Sequence, residues 1–154
     1  MFTKGIFILS NKWDLRFLEL ARRISTWSKD PSRQIGAIAV KNRNVIAQGY
    51  NGFPRGIEDD DARYQDRAIK YKYVVHAEMN CIYNASFNGV SLVESDFYVH
   101  GLPVCSDCAK GIIQVGVSRV FMPQQEIPDH WMDSWDLTRS MFDEAGVKWK
   151  FLPV

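Results

Sequence analysis

His76-Ala77-Glu78 and, beyond a short apolar run at 96–100, Pro103-Val104-Cys105-Ser106-Asp107-Cys108 form the stretch on which this sequence turns. One imidazole and two thiols at a C-x-x-C spacing supply three ligands for a tetrahedral zinc. The fourth position stays open to water, which distinguishes a catalytic zinc from a structural one. Glu78 lies two residues from His76, poorly placed to ligate beside it and well placed to handle that water's protons. Zinc lowers the pKa of such a water from about 16 toward about 7, and a nearby carboxylate can then move its proton.

Outward from this stretch, the elements alternate. The pattern predicts strand 96–100, helix 106–115, strand 118–122, helix 131–145 and strand 147–152, with a helix at 75–87 stopped by Asn88-Gly89. His76 therefore begins one helix, and Cys105 and Cys108 begin another. Helix starts favour negative charge and lower thiol pKa values, so both cysteines are expected as thiolates. Upstream, Trp13, Phe17, Leu20, Ala21, Ile24 and Trp27 recur at helical spacing and predict a helix over 12–28, with Asn11 and Asp14 as its capping pair. Lys29-Asp30-Pro31-Ser32 stops it. Apolar runs at 34–40 and 45–50 around Asn42-Arg43-Asn44 predict a β-hairpin. The segment 51–74 is left as a loop long enough to be functional. Strand–helix–strand alternation demands parallel strands with right-handed crossovers. The expected fold is α/β: a three-layer α/β/α sandwich around a mixed five-stranded sheet, its first two strands antiparallel, in one domain over 1–154.

A length of 154 residues suffices to bury roughly 70% of the unfolded surface. A net charge of +1 provides no broad basic field for nucleic acid, so an anionic ligand needs a local cluster of cations. Three cysteines make no disulfide scaffold and fit a reducing cytoplasm. The run Ile6-Phe7-Ile8-Leu9 is too short for a signal core or membrane span, and a cytoplasmic protein without membrane contact is expected. Cys81 and His100 are the nearby candidates for a fourth, structural ligand. Cys81 reads as a buried core thiol, and His100 and His130 read as polar or packing residues.

The H-x-E and C-x-x-C pair resembles the zinc deaminases of bases and nucleotides. The resemblance extends to 28–37 (SKDPSRQIGA), 49–56 (GYNGFPRG), 73–78 (YVVHAE) and Cys108-Ala109-Lys110, in the order and spacing of deoxycytidylate (dCMP) deaminases across roughly residues 12–152. It implies a cytidine deaminase-like fold and a zinc-dependent hydrolase of pyrimidine deoxyribonucleotide metabolism. Such an enzyme turns dCMP into dUMP and ammonia for thymidylate synthesis. It also implies a homohexamer, an allosteric enzyme activated by dCTP and inhibited by dTTP, with Mg²⁺ accompanying the triphosphate. Carried onto this sequence, Glu78 is catalytic and His76, Cys105 and Cys108 hold zinc. Asn51, Lys70, Tyr71, Lys72, Tyr73, Ala77, Leu102 and Pro103 meet the substrate. Lys29, Asp30, Ser32, Arg33, Tyr50, Asn51, Gly52, Arg55 and Gly56 form the regulatory nucleotide site. One departure stands out: the family reads Pro-Cys-x-x-Cys, whereas Val104 here separates Pro103 from Cys105.

The residues themselves leave alternatives open. Gly49, Gly52 and Gly56 permit close backbone approach to a ligand. Asn51 reaches a sugar hydroxyl or only caps its own turn. Arg55, Arg63, Arg67, Lys70 and Lys72 suit phosphate or form a solvated charged loop, and Lys70 and Lys72 lead among them. Glu58-Asp59-Asp60-Asp61 help hold Mg²⁺ or are solvated charge. Competing functions are a deaminase of another small ring, a nucleic-acid editor and a zinc-stabilised scaffold. Near-neutral charge disfavours the editor, and the scaffold leaves Glu78 without a role.

Overall fold

The structure, a computed structural model, describes residues 12–154; Asn11 and the run at 6–9 lie outside the described residues. The elements run α1 Lys12–Ser25, β1 Gly36–Lys41, β2 Asn44–Tyr50, α2 Asp61–Gln65, α3 Arg67–Tyr73, α4 Ala77–Phe87, β3 Asp96–His100, α5 Ser106–Gln114, β4 Arg119–Pro123, α6 Asp129–Ala145 and β5 Lys148–Leu152. The sheet order is β2-β1-β3-β4-β5. β1 pairs antiparallel with both β2 and β3, while β3, β4 and β5 are parallel. The expected three-layer sandwich with a mixed five-stranded sheet is the fold observed.

Strand periodicity divides the core in two, because successive side chains face opposite sides of the sheet. Ile38, Val40, Tyr98 and Phe121 face α1, packing with Phe17, Leu18, Ala21 and Ile24. Ala37, Ala39, Phe97, Val99, Val120 and Met122 face the other side, against Cys81, Ile112 and Phe142 of α4, α5 and α6. Cys81 is a buried core thiol, as its sequence context suggested.

Three boundaries differ from expectation for identifiable reasons. After Ser25 the chain continues through bonds from Thr26, Trp27 and Ser28 to carbonyls three residues back, a tightened turn that ends the α-helix early. His76 is extended (φ −66°, ψ 153°), so it is the capping position before α4 and not its first turn. The 51–74 segment is not a plain loop but contains α2 and α3. Asp60 caps α2 by accepting from the Ala62 amide, and Asp66 caps α3 by accepting from those of Ala68 and Ile69. Asp60 read in the sequence as a Mg²⁺ aid or solvated charge because helices of one or two turns leave little apolar periodicity. The hairpin turn is as drawn from sequence: Asn42 and Arg43 both take left-handed φ (53° and 61°), as a two-residue type I′ turn requires.

Candidate active site

α4 is fixed on the sheet by an absence. A Cβ on Gly49 of β2 would lie 2.3 Å from the Cys81 amide nitrogen and 2.7 Å from the Ala77 carbonyl oxygen. Only glycine lets the first turns of α4 lie this close to β2; its close approach is to this helix rather than to a ligand. Asn80 then donates to the Tyr50 carbonyl (2.8 Å) and Asn84 to that of Gln48 (2.6 Å), pinning the helix along the strand. Cys105 caps α5, its Sγ accepting from the Cys108 amide at 3.4 Å.

Together these placements bring the two helix starts into contact. His76 Nδ1 lies 3.4 Å from Cys105 Sγ and 3.4 Å from Cys108 Sγ. Tetrahedral zinc, with bonds of about 2.0–2.1 Å to nitrogen and 2.3 Å to sulfur, sets such ligands about 3.5 Å apart. Both His–Cys distances match that spacing and all three donor atoms lie within 4.8 Å of one another, so the donor set fits zinc; it is the His/Cys/acid metal cluster found among the described residues.

The charges around it are mutually adjusted. The Cys108 thiol donating to Cys105, together with His76, pulls the Cys105 thiol down to about 4 against the opposing effect of burial. The resulting thiolate pushes Cys108 upward. Through its bond to Cys105, His76 is raised to about 9. Glu78 is buried, and burial first, then the Cys105 charge, raise its carboxyl to about 7 while His76 opposes. A carboxyl titrating near neutrality suits both accepting and returning a proton.

His76, Ala77 and Glu78 open into a cavity of about 390 Å³, within the usual range for small-molecule sites. Leu102, Pro103, Asn51, Lys70 and Tyr71 also line it, as do Asp30, Ser32 and Arg33. Lys72 and Tyr73 are not among its lining residues. Tyr73 instead joins an aromatic group with Phe53, which stacks on Tyr64 at 4.1 Å. The regulatory set drawn from sequence is divided: Lys29, Tyr50, Gly52, Arg55 and Gly56 stand outside this lining. Lys29 pairs with Asp59 at 3.0 Å. Arg55 donates to Asn84 and lies over the Phe87 ring at 4.3 Å. Gly56 has the positive φ (79°) that glycine tolerates, in open space.

Two cavity residues carry structural bonds as well. Asn51 Oδ1 accepts from the Ile35 amide (2.9 Å) and its Nδ2 donates to the Arg33 carbonyl (2.8 Å). One amide hydrogen and one lone pair of Asn51 remain beyond these bonds. Lys70 is buried against Asp30 at 3.2 Å, and Asp30 also accepts from the Ser32 and Arg33 amides. Arg33 and Arg67 line the cavity with no carboxylate partner among the described residues. His130, which read as a polar or packing residue in the sequence, is part of the wall together with Trp131. They lie in the first turn of α6, the helix that follows parallel strand β4, and ligands in such sheets gather at the carboxyl ends of strands. That general rule was the one available signal for them.

A family profile described as the cytidine and deoxycytidylate deaminase zinc-binding region matches residues 11–124. The chain belongs to this family. A protein of Aliivibrio fischeri described as an uncharacterized deaminase in the luxG 3′ region is 38% identical over 146 residues, covering 94% of this chain and 96% of that one. Human deoxycytidylate deaminase is 37% identical over 151 residues, covering 92% of this chain and 81% of its own. Among solved structures, the dCMP deaminase of cyanophage S-TIM5 in complex with dCMP and dUMP superposes with a TM-score of 0.74 at 24% identity, over 94% of this chain and 99% of that one. At that identity the likeness is one of fold. Among the described residues, no helix is long and apolar enough to cross a membrane.

Proposed function

We propose that this chain hydrolyses the 4-amino group of dCMP, giving dUMP and ammonia and supplying thymidylate synthesis. The observation that carries the reading is one cavity lined both by His76 and Glu78 and by Arg33 and Arg67. A proton-handling carboxyl beside a metal cluster suits attack on an amino-substituted ring. Guanidinium groups without carboxylate partners suit a phosphate. The relatives named deoxycytidylate deaminase support the same substrate.

His76, Cys105 and Cys108 hold the zinc, which when bound supplies an activated water. Glu78 accepts a proton from the attacking water and passes it to ring N3; it then takes the second proton from the new C4 hydroxyl and delivers it to the amine, so that C4=O forms as the C4–N bond breaks and ammonia leaves. Asn51 and the Leu102–Pro103 backbone orient base and sugar. Arg33 and Arg67 hold the phosphate, and Lys70, already neutralised by Asp30, braces that wall. Steady-state assays by ultraviolet absorbance with dCMP, deoxycytidine, CMP and a cytosine-containing oligonucleotide test this. A clear preference for dCMP is expected; equal use of deoxycytidine defeats the reading.

On the same reading the chain forms a cytoplasmic homohexamer, acts as one catalytic domain, and is activated by dCTP and inhibited by dTTP, each with Mg²⁺. Lys29, Tyr50, Gly52, Arg55 and Gly56, outside the cavity lining, support a second nucleotide site. Equilibrium binding of dTTP to enzyme saturated with a dCMP analogue tests it: binding is expected, and strict competition removes the second site.

A further inference from the structure

The extra residue Val104 lengthens the turn that carries Cys105, and the fold holds that turn from outside. Val104 is fully buried in the main core, so its carbonyl needs a partner within the protein. Thr138 Oγ1 donates to it at 2.8 Å. Trp131 Nε1 donates to the Pro103 carbonyl at 2.8 Å. On the far side of Cys105, the Ser106 amide, one of the first N–H groups of α5 that no helical carbonyl can reach, donates to Ser134 Oγ at 2.9 Å. Trp131, Ser134 and Thr138 are spaced i, i+3 and i+7, so they form one row on a single face of α6.

We propose that this row is a clamp of positioning residues that sets Cys105 for metal binding and thereby accommodates Val104. Of the three ligands, His76 is fixed by α4 against β2, and Cys108 lies inside α5. Cys105 alone hangs on an irregular turn whose flanking backbone groups, at Pro103, Val104 and Ser106, are all bonded by α6. Groups that orient ligands without touching the metal typically change metal affinity 10–100-fold when removed. The inference rests on the His76–Cys105–Cys108 zinc site and not on dCMP as substrate.

The test is made on the full-length protein without substrate. Zinc affinity is measured by chelator competition, and the thiolate-to-metal charge-transfer band is recorded after Co²⁺ loading. T138V keeps the side-chain shape and removes the donor; it is expected to weaken zinc roughly 10–100-fold and to alter the Co²⁺ band, while T138S restores both. W131F and S134A, at the other end of the row, carry the same test should T138V not fold. Wild-type zinc affinity and Co²⁺ band in W131F, S134A and any folded T138V, even with lowered thermal stability, would reduce the row to packing and overturn the proposal. The wild type's own zinc affinity, read in the same titration, tests the metal site separately.

Discussion

His76, Cys105 and Cys108 come from the starts of two adjacent helices and converge within hydrogen-bonding distance. Arg33, Arg67, Lys70 and His130 reach the same cavity from a turn, a short helix in the 51–74 segment and the start of the last helix. The first set is held by backbone geometry: the close approach at Gly49, the Asn80 and Asn84 bonds, and the capping of α5. In the second set Lys70 is held by Asp30, forty residues away in sequence, which also accepts from the Arg33 amide; the ion pairs on this side of the molecule differ in exposure. Lys70–Asp30 is buried, with side chains 6% and 5% exposed, whereas the neighbouring Lys29–Asp59 pair is 62% and 40% exposed. On the proposed function, metal chemistry would rest on rigid, local geometry and anion recognition on longer-range packing, so the two should fail separately when mutated.

The widest separation is expected at Glu78. Glu78→Gln keeps the shape of the side chain but cannot carry a proton, and kcat should fall by roughly 10²–10⁴-fold with zinc content and fold retained. Turnover near wild type would remove this carboxyl from the chemistry.

Next come the two ion pairs. Asp30→Asn strands the Lys70 ammonium in the interior, and removing one partner of a buried pair typically costs about 3–5 kcal/mol. Lys29→Ala breaks an exposed pair worth at most about 1 kcal/mol. Denaturant unfolding of the two variants side by side measures the contrast, and equal losses would erase it.

Arg67→Ala addresses anion binding alone. A hydrogen bond to a charged group contributes about 1.5–3 kcal/mol, so KM for dCMP should rise roughly ten- to a hundredfold while deoxycytidine is used as before. A matching loss for deoxycytidine would mean that Arg67 supports the wall and does not meet phosphate.

The smallest effect concerns His100, whose Nδ1 is buried without a hydrogen-bond partner among the described residues. Burial, then the Arg22 charge, holds this imidazole below its ordinary value. The unfolded chain therefore takes up a proton below about pH 6.5 that the folded chain resists, and stability should fall as pH drops through that region and not above it. His100→Gln should flatten that part of the stability–pH curve. An unchanged curve would place the titration elsewhere.

How much of this was legible in the sequence follows from how each set is built. The His76–Cys105–Cys108 cluster and the buried carboxyl of Glu78 beside it were readable because they depend on short spacings within two segments. The sheet and its layers followed from period-two strands and strand–helix alternation. The 51–74 segment was opaque because α2 and α3 are too short for apolar periodicity, and their caps, Asp60 and Asp66, show only in the folded chain. Lys70 read as a free cation because nothing local reveals Asp30 forty residues earlier. His130 and Trp131 were hidden for the same reason, lying more than fifty residues from His76 until the sheet brings them together. Gly49 was singled out correctly as a close-approach position, but the partner is helix α4, which only the packed fold identifies.

The most direct test of one cavity serving both sets is a crystal structure of the zinc-loaded protein with a dCMP analogue bound. The ring is expected beside Glu78 and the phosphate within hydrogen-bonding distance of Arg33 and Arg67. A phosphate seated instead near Lys29 and Arg55, with the ring away from Glu78, would contradict it.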